Sequence, residues 1–133
     1  MIGAVIITHG SLASSLVEVA ESISGTIENI RTVSVQSADA TDGIRDTLAA
    51  AVDDVSTGEG VIIFTDMFGG TPTNIALSLF KDGNVEVITG VNLPVLIKFT
   101  GHRSDKPLGE LALLLKESAQ QGIVLAGDML RDR

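Results

Sequence analysis

The chain has 133 residues, 44% of them hydrophobic, and a formal net charge of −8. This length suits one domain with its own core, so we expect residues 1–133 to form a single domain. The lack of cysteine excludes disulfides and thiolate metal sites. The apolar runs are far shorter than the ~20 residues that cross a bilayer, and the first residues do not resemble a signal peptide. We therefore expect a cytoplasmic protein that does not insert into the membrane.

Composition also argues against several binding functions. Nine residues are Lys or Arg, 17 are Asp or Glu, and aromatic residues make up 3% of the chain. Neither a basic surface nor a stacking surface for nucleic acid is therefore expected. The sequence lacks the glycine motifs of dinucleotide and P-loop sites, and two histidines without cysteine make a structural zinc site improbable. We expect no cofactor, no metal and no nucleic acid; the acidity fits a basic protein partner or simply solubility.

Short apolar runs alternate with longer segments of helical period from the start of the chain. Met1–Ile7 is continuously apolar, which predicts a strand buried on both faces. A helix is predicted to follow, with Ser11 as its cap and Gly25 at its end. Apolar residues that recur every three or four positions predict its buried face: Leu12, Leu16, Val19, Ala20 and Ile23.

The middle of the chain repeats this alternation. Ile30–Val35 and Gly60–Phe64 predict the second and third strands. Thr71 and Pro72 form a strong helix start, with Thr71 as the N-cap and Pro72 in the first helical position. The residues expected to face the core are Ile44, Leu48, Val52 and Val55 in the second helix, and Ile75, Leu79 and Phe80 in the third.

The last third of the chain predicts four further elements. These are a strand at Val85–Ile88, a short helix at Pro94–Thr100, a helix that begins at Pro107 and a short final strand at Gly122–Ala126. Three side chains of this region are expected to lie at the surface: Lys98, His102 and Arg103.

This order of elements predicts an α/β fold. We expect a doubly wound, mostly parallel sheet of four strands in the order 2-1-3-4, with a short C-terminal strand and helices on both faces. Such sheets bind ligands at the carboxyl ends of their strands. His9 follows the first strand and Asp66 follows the third, so the order 2-1-3-4 would bring these two side chains together.

His9 and Asp66 together are suited to nucleophilic chemistry. A carboxylate that accepts the N–H of one imidazole nitrogen leaves the other nitrogen free to attack. The same carboxylate stabilises the cationic ring that forms on attack. If the group transferred is phosphoryl, the like charge of Asp66 would limit the stability of the phosphohistidine, which a carrier requires.

A phosphate site can be built beside this pair. Gly69 and Gly70 allow the backbone to approach a ligand closely and turn its N–H groups toward it. Thr71 begins a helix, and the N–H groups of a helix start suit a phosphate. Gly10 and Ser11, at the start of the helix that follows the first strand, offer a second such position.

Each of these features alone has an ordinary structural explanation. A single histidine at a strand end is more often a hydrogen-bonding residue, and paired glycines commonly mark turns. The alternative to a catalytic site is a flavodoxin-like ligand-binding domain in which His9 is only structural. The combination of features at two neighbouring strand ends favours the catalytic interpretation.

Three segments carry a family resemblance: Ile6–Gly10, Thr65–Asn74 and Thr89–Pro94. The middle segment, TDMFGGTPTN, is the most specific of them. In order and spacing they resemble the mannose-type enzyme IIA domain of the bacterial phosphoenolpyruvate-dependent sugar phosphotransferase system, over nearly the whole chain.

The resemblance implies a phosphocarrier. His9 would accept a phosphoryl group from the phosphocarrier protein HPr and pass it to a separate IIB domain for sugar uptake. Asp66 would orient His9, while Gly70 and Thr71 would line the phosphate site. Members of this family typically form homodimers by exchanging a C-terminal strand, for which Gly122–Ala126 is the candidate here.

A regulatory role is the alternative within the same family. The phosphorylation state of His9 would then control binding to a kinase or another regulatory protein, without sugar transport. The related phosphotransfer subunit of dihydroxyacetone kinase has a His-Ser pair and lacks the Gly-Gly-Thr-Pro loop. His9-Gly10 and the loop at Gly69–Pro72 therefore favour the sugar-transport branch, although the resemblance does not name the sugar.

Overall fold

A computed structural model describes residues 1–37 and 39–131; the last two residues of the predicted domain, 132–133, lie outside this range, as does residue 38. Strands and helices alternate through most of the described chain. In order they are β1 Gly3–His9, α1 Leu12–Ser24, β2 Ile30–Val35, α2 Thr41–Val55, β3 Val61–Thr65, α3 Thr71–Leu77, β4 Val85–Thr89, α4 Leu93–His102, α5 Leu108–Gln121 and α6 Ala126–Arg131. Within the described residues, no helix has both the length and the apolar character needed to cross a membrane.

The four strands form one parallel sheet in the order β2-β1-β3-β4, which confirms the predicted fold class. The central pair, β1 and β3, aligns Ile7 with Thr65, and β1 also aligns His9 with Val35 of β2. Because all strands run the same way, their carboxyl ends meet at one edge of the sheet. From β1 the chain first adds β2 on one side and then crosses back to add β3 and β4 on the other side. Folds of this kind bind ligands at the carboxyl edge of the sheet, at the point between β1 and β3 where the direction of winding reverses.

Two apolar layers cover the sheet, one on each face. Alternate residues of β1 point to opposite layers, as the pleat of a strand requires: Ala4 and Ile6 pack with α1, α4 and α5, whereas Val5 and Ile7 pack with α2 and α3. β1 and β3 are buried on both faces, which explains why their sequences are continuously apolar.

Helix α1 buries a different face from the one predicted. Ala13 and Ala20 are buried and Leu16 and Val17 pack beside them, whereas Leu12, Val19 and Ile23 are 45%, 45% and 60% exposed. Two overlapping sets of residues in this helix have the required spacing of three and four. The small side chains of Ala13 and Ala20 face the sheet, so the prediction chose the wrong set for three of its five residues.

Helix α3 starts and ends differently from the prediction. Gly70 occupies the N-cap position, Thr71 is the first helical residue, and the cap position makes no side-chain hydrogen bond. Ile75 is buried as predicted and Leu79 packs on the core, but Phe80 is 47% exposed because the helix ends at Leu77.

The predicted C-terminal strand Gly122–Ala126 is wrong for the described chain. The Gly122 N–H donates to the carbonyls of Ser118 and Ala119, so the turn of α5 continues to Gly122. Ala126 then begins α6, which buries none of its residues, and the four residues 122–125 between the two helices belong to no strand.

Arg103 is a buried residue, not the surface residue predicted from the sequence. Its side chain donates to the backbone carbonyls of Ile2, Glu28 and Asn29 at 2.6–3.2 Å. The guanidinium carbon lies 4.6 Å from the centre of the Phe99 ring. Burial lowers the pKa of the Arg103 guanidinium, and the charge of Glu28 partly offsets this shift. Arg103 thus joins the start of β1, the loop before β2 and the end of α4.

We predict that Arg103→Ala lowers the free energy of unfolding by about 2–4 kcal/mol, because it removes the side-chain donor from the Ile2 and Glu28 carbonyls and the contact with Phe99. Arg31→Ala is the matched control, since Arg31 is exposed and, among the described residues, its side chain bonds only to the neighbouring Ile30 carbonyl. Its effect is expected to stay within about 0.5 kcal/mol. Urea unfolding of both variants measures the difference, and equal effects would contradict the structural role of Arg103.

Candidate active site

His9 and Asp66 lie in direct contact at the carboxyl edge of the sheet. His9 is the last residue of β1, and Asp66 follows the last residue of β3. The Asp66 carboxylate oxygen Oδ2 accepts two hydrogen bonds from His9, one from the backbone N–H at 2.9 Å and one from imidazole Nδ1 at 2.7 Å. The Asp66 side chain is 12% exposed and that of His9 is 53% exposed. The predicted proximity is therefore observed, with the imidazole at the surface.

The environment of Asp66 favours its ionised form. Burial by itself would raise the pKa of the carboxyl, but the hydrogen bonds from the His9 backbone and imidazole, the charge of His9 and the Met67 N–H at 2.9 Å outweigh it. The net result is a pKa of Asp66 below its ordinary value. An ionised carboxylate only accepts hydrogen bonds, so Nδ1 of His9 carries a proton and, in the neutral ring, Nε2 carries the free lone pair.

Gly70 lies against the imidazole ring on the side of this free nitrogen. A Cβ atom at position 70 would stand 3.0 Å from Cε1 of His9 and 3.6 Å from Nε2. The φ angle of Gly70 is −97°, which any residue can adopt. The need for glycine at this position therefore comes from the close approach to His9. At Gly69 the reason is different, because its φ of +88° lies in the left-handed region.

The loop beside His9 leaves two backbone donors available. In the described part of the chain, no hydrogen-bond acceptor is assigned to the N–H of Gly70 or of Thr71, and Thr71 is exposed. These two N–H groups are therefore the candidates to bind an anion next to His9.

The residues after His9 are arranged differently. The Gly10 N–H already donates to the Val35 carbonyl at 3.0 Å, and Gly10 has a φ of +57°. Ser11 is the N-cap residue of α1, but its side chain makes no capping hydrogen bond. The Thr8 hydroxyl accepts the Ala13 N–H at 2.9 Å instead. Of the predicted phosphate-binding residues, Gly70 lies in contact with the imidazole, whereas the Gly10 N–H is engaged with β2.

Sequence reasoning missed three buried threonines around this site. Thr8 caps α1, and the hydroxyls of Thr65 and Thr73 bond to each other at 2.7 Å below the loop. The signal was present in the sequence, since a threonine directly precedes both His9 and Asp66, each after an apolar run. Among the described residues, no group of three His, Asp or Glu side chains is placed to hold a metal ion.

The fold and the site define a class: a doubly wound α/β protein with an aspartate-bonded histidine at the edge where the winding reverses. Comparison with known families identifies it further. The family model EIIA-man, described as "PTS system fructose IIA component", matches residues 3–115, and the chain belongs to this family of phosphotransferase-system IIA components. The resemblance found from the sequence motifs is thereby confirmed.

Curated relatives carry related names. The chain is 32% identical over 124 residues to the mannose-specific EIIAB component of Escherichia coli K12, an alignment that covers 92% of this chain and 38% of that protein. It is 29% identical over 131 residues to the fructose-specific EIIA component of Bacillus subtilis, covering 98% and 90% of the two chains. The chain thus spans 38% of the length of the mannose-specific relative and nearly all of the fructose-specific one.

Solved structures agree with the fold. A PTS IIA protein associated with the fucose utilization operon of Streptococcus pneumoniae superposes with a TM-score of 0.83 at 27% identity, covering 96% of this chain and 95% of that one. An EIIA phosphotransferase component from Streptococcus agalactiae gives a TM-score of 0.87 at 24% identity over 96% and 99% of the chains. The second likeness concerns the fold alone.

We predict that Gly70→Ala displaces the His9 ring by a few tenths of an ångström, because the new Cβ stands 3.0 Å from Cε1. The NMR signals of the imidazole should shift, while the free energy of unfolding changes by about 1 kcal/mol or less because the ring can move into solvent. Gly43→Ala is the control, since a Cβ there meets nothing within 4 Å. Unchanged His9 signals in Gly70→Ala would contradict the close approach.

Proposed function

We propose that the chain is a phosphocarrier in which Nε2 of His9 accepts a phosphoryl group from phospho-HPr and passes it to a separate IIB domain for sugar uptake. The observation that supports this most directly is the 2.7 Å hydrogen bond between Nδ1 of His9 and Asp66, because it leaves Nε2 exposed with a free lone pair. Membership of a family of phosphotransferase-system IIA components supports the reaction class.

The transfer step needs the two nitrogens of His9 in different roles. The lone pair of Nε2 forms the bond to phosphorus while the bond from phosphorus to the donor breaks, and its electron pair returns to the donor. The imidazole gains positive charge, which the Asp66 carboxylate stabilises through the proton on Nδ1. Transfer to the acceptor reverses these events. Phosphoryl transfer of this kind depends mainly on positioning and on stabilisation of charge.

The loop and the carboxylate have opposing effects on the phosphoryl group. In this proposal the N–H groups of Gly70 and Thr71 bind its oxygens, Gly69 turns the loop toward it, and Gly10 and Ser11 border it on the other side. Asp66 lies on the far side of the ring and repels the phosphoryl oxygens. This repulsion destabilises the phosphohistidine enough for the group to be given away.

The proposal places this reaction in the cytoplasm, with HPr as donor. Relatives are named for mannose, fructose and sorbose, which supports sugar uptake as the process served. The mannose-specific relative is named EIIAB and extends well beyond the segment matched here. In this proposal the acceptor is a IIB domain separate from the fold described here.

We predict that incubation with phosphoenolpyruvate, enzyme I and HPr adds one acid-labile phosphoryl group to the wild-type protein and none to His9→Ala, as measured by intact mass. His102→Ala is the matched control, because the chain has only two histidines, and it should be labelled normally. Asp66→Asn should be labelled about 100-fold more slowly or worse, since the amide neither fixes the tautomer nor stabilises the charged ring.

The acceptor decides between transport and regulation. Phosphorylated wild-type protein that discharges onto a purified IIB domain supports the transport role. Phosphorylation-dependent binding to a kinase or other regulator, without discharge, would favour the regulatory alternative. A wild-type protein that stays unlabelled beside charged HPr would overturn the phosphocarrier proposal and leave His9 as a structural residue.

We also propose that the chain forms a homodimer through its C-terminal segment. Five apolar side chains there are 59–81% exposed: Ile123, Val124, Leu125, Met129 and Leu130. The outer edge of β4 has no neighbouring strand in the described part of the chain, and it borders a groove of about 600 Å³ between α5 and the exposed ring of Phe68. An unpaired strand edge beside apolar surface favours addition of another segment. A second copy supplies that segment, and each copy would cover the groove of the other.

We predict that Leu125→Asp weakens this dimer by about tenfold or more, because it places a charge in an apolar contact. Ile23→Asp is the matched control: Ile23 is 60% exposed and Leu125 67%, but Ile23 lies on α1. Sedimentation over a range of concentrations measures the effect. A wild-type protein that sediments as a monomer throughout would contradict the proposal.

A further inference from the structure

Two hydroxyl groups are buried beneath the loop that carries Asp66. Thr65 is the last residue of β3 and Thr73 lies in the first turn of α3; they are 0% and 1% exposed. Their Oγ1 atoms are 2.7 Å apart, and Oγ1 of Thr73 also donates to the backbone carbonyl of Met67 at 2.5 Å. The rest of β3, Val61–Phe64, is wholly apolar, so the Thr65 hydroxyl is the polar side-chain group of this strand.

The direction of these hydrogen bonds follows from the number of protons. A threonine hydroxyl has one proton to donate. The proton of Thr73 goes to the Met67 carbonyl, so the bond between the two threonines takes its proton from Thr65. The chain of donors therefore runs from Thr65 through Thr73 to Met67. Both hydroxyls are satisfied, which is what keeps their burial from being costly.

Met67 connects this chain to the site. Its N–H donates to Oδ1 of Asp66 at 2.9 Å, while its carbonyl accepts the proton of Thr73. The backbone at Met67 is thus held from both sides. The other carboxylate oxygen, Oδ2, accepts from His9. The orientation of the Asp66 carboxylate is therefore set by hydrogen bonds at both oxygens, and one of these depends on the threonine pair.

We propose that Thr65 and Thr73 are positioning residues that hold the Met67 backbone so that Asp66 keeps the proton of His9 on Nδ1. This inference rests on the phosphocarrier function proposed for His9, but its first readout, the tautomer of the imidazole, can be measured without phosphoryl transfer. The hydroxyls of both threonines are engaged with each other and with the Met67 carbonyl, so both act through Asp66.

The test compares Thr73→Val, which keeps the shape and removes the hydroxyl, with Thr73→Ser, which keeps the hydroxyl. NMR of the imidazole nitrogens in the unphosphorylated protein gives the tautomer, and a time course with saturating phospho-HPr gives the rate of labelling. In Thr73→Val we expect a mixture of tautomers and labelling slower by about tenfold, because a misplaced carboxylate orients the ring less well. Thr73→Ser should restore both properties to near those of the wild type.

Thr100→Val is the matched control. The Thr100 hydroxyl, like that of Thr73, donates to a backbone carbonyl, but both Thr100 and its acceptor Ile97 lie in α4. It should leave tautomer and rate unchanged. If Thr73→Val does not fold, Thr65→Val replaces it; a smaller effect in the same direction is expected, because the bond from Thr73 to Met67 remains.

A single Nδ1-protonated tautomer together with wild-type labelling in the valine variant would overturn the proposal. So would equal losses in Thr73→Val and Thr73→Ser, because side-chain volume would then matter and the hydroxyl would not. If the wild type accepts no phosphoryl group, the function proposed for His9 fails, and the tautomer measurement alone decides whether the threonines position Asp66.

Discussion

The register between β1 and β3 is the constraint on which the site depends. Ile7 pairs with Thr65, so the next residues of the two strands reach the carboxyl edge together and the His9 N–H meets the Asp66 carboxylate. Side chains of a strand alternate between the two faces, so a slip of one residue would move every side chain of β3 to the opposite layer. Alternate residues of β1 and β3 pack in two different layers, so such a slip would disrupt the packing of both. The packing of the core therefore positions the chemistry at its edge.

The sequence was sufficient for the architecture and for the central pair of the site. Continuous apolar runs predict strands that are buried on both faces, and helical segments between them require a parallel sheet. In the order 2-1-3-4, the residues that follow the first and third strands must meet, so the sequence alone pairs His9 with Asp66. The helix boundaries near Gly25 and Pro107 also followed from local chemistry, because glycine and proline restrict where a helix ends or starts.

Other features could not be predicted because they depend on three-dimensional context. Arg103 is buried by carbonyls from two distant loops, and no local pattern in the sequence indicates that. The buried face of α1 was ambiguous, since two sets of apolar residues share the same spacing. The segment Gly122–Ala126 is apolar enough for a strand, but a strand also needs a neighbour to pair with. The Thr65–Thr73 contact needed the fold to bring the end of β3 below the start of α3.

The Asp66–His9 contact and the Arg103 contacts respond differently to acid. Asp66 holds His9 through a negative charge, and the pKa of Asp66 in the folded protein lies below its ordinary value. The stabilisation that the ionised carboxylate provides is therefore complete above the ordinary carboxyl pKa. It is lost as the pH falls through the pKa of the folded state. Arg103 holds the opposite edge of the sheet through a positive charge bound by neutral carbonyls, which acid does not change. Acidification therefore weakens the contact between His9 and its carboxylate while the bonds at the amino edge persist, so the geometry at one edge of the sheet changes with pH independently of the other edge.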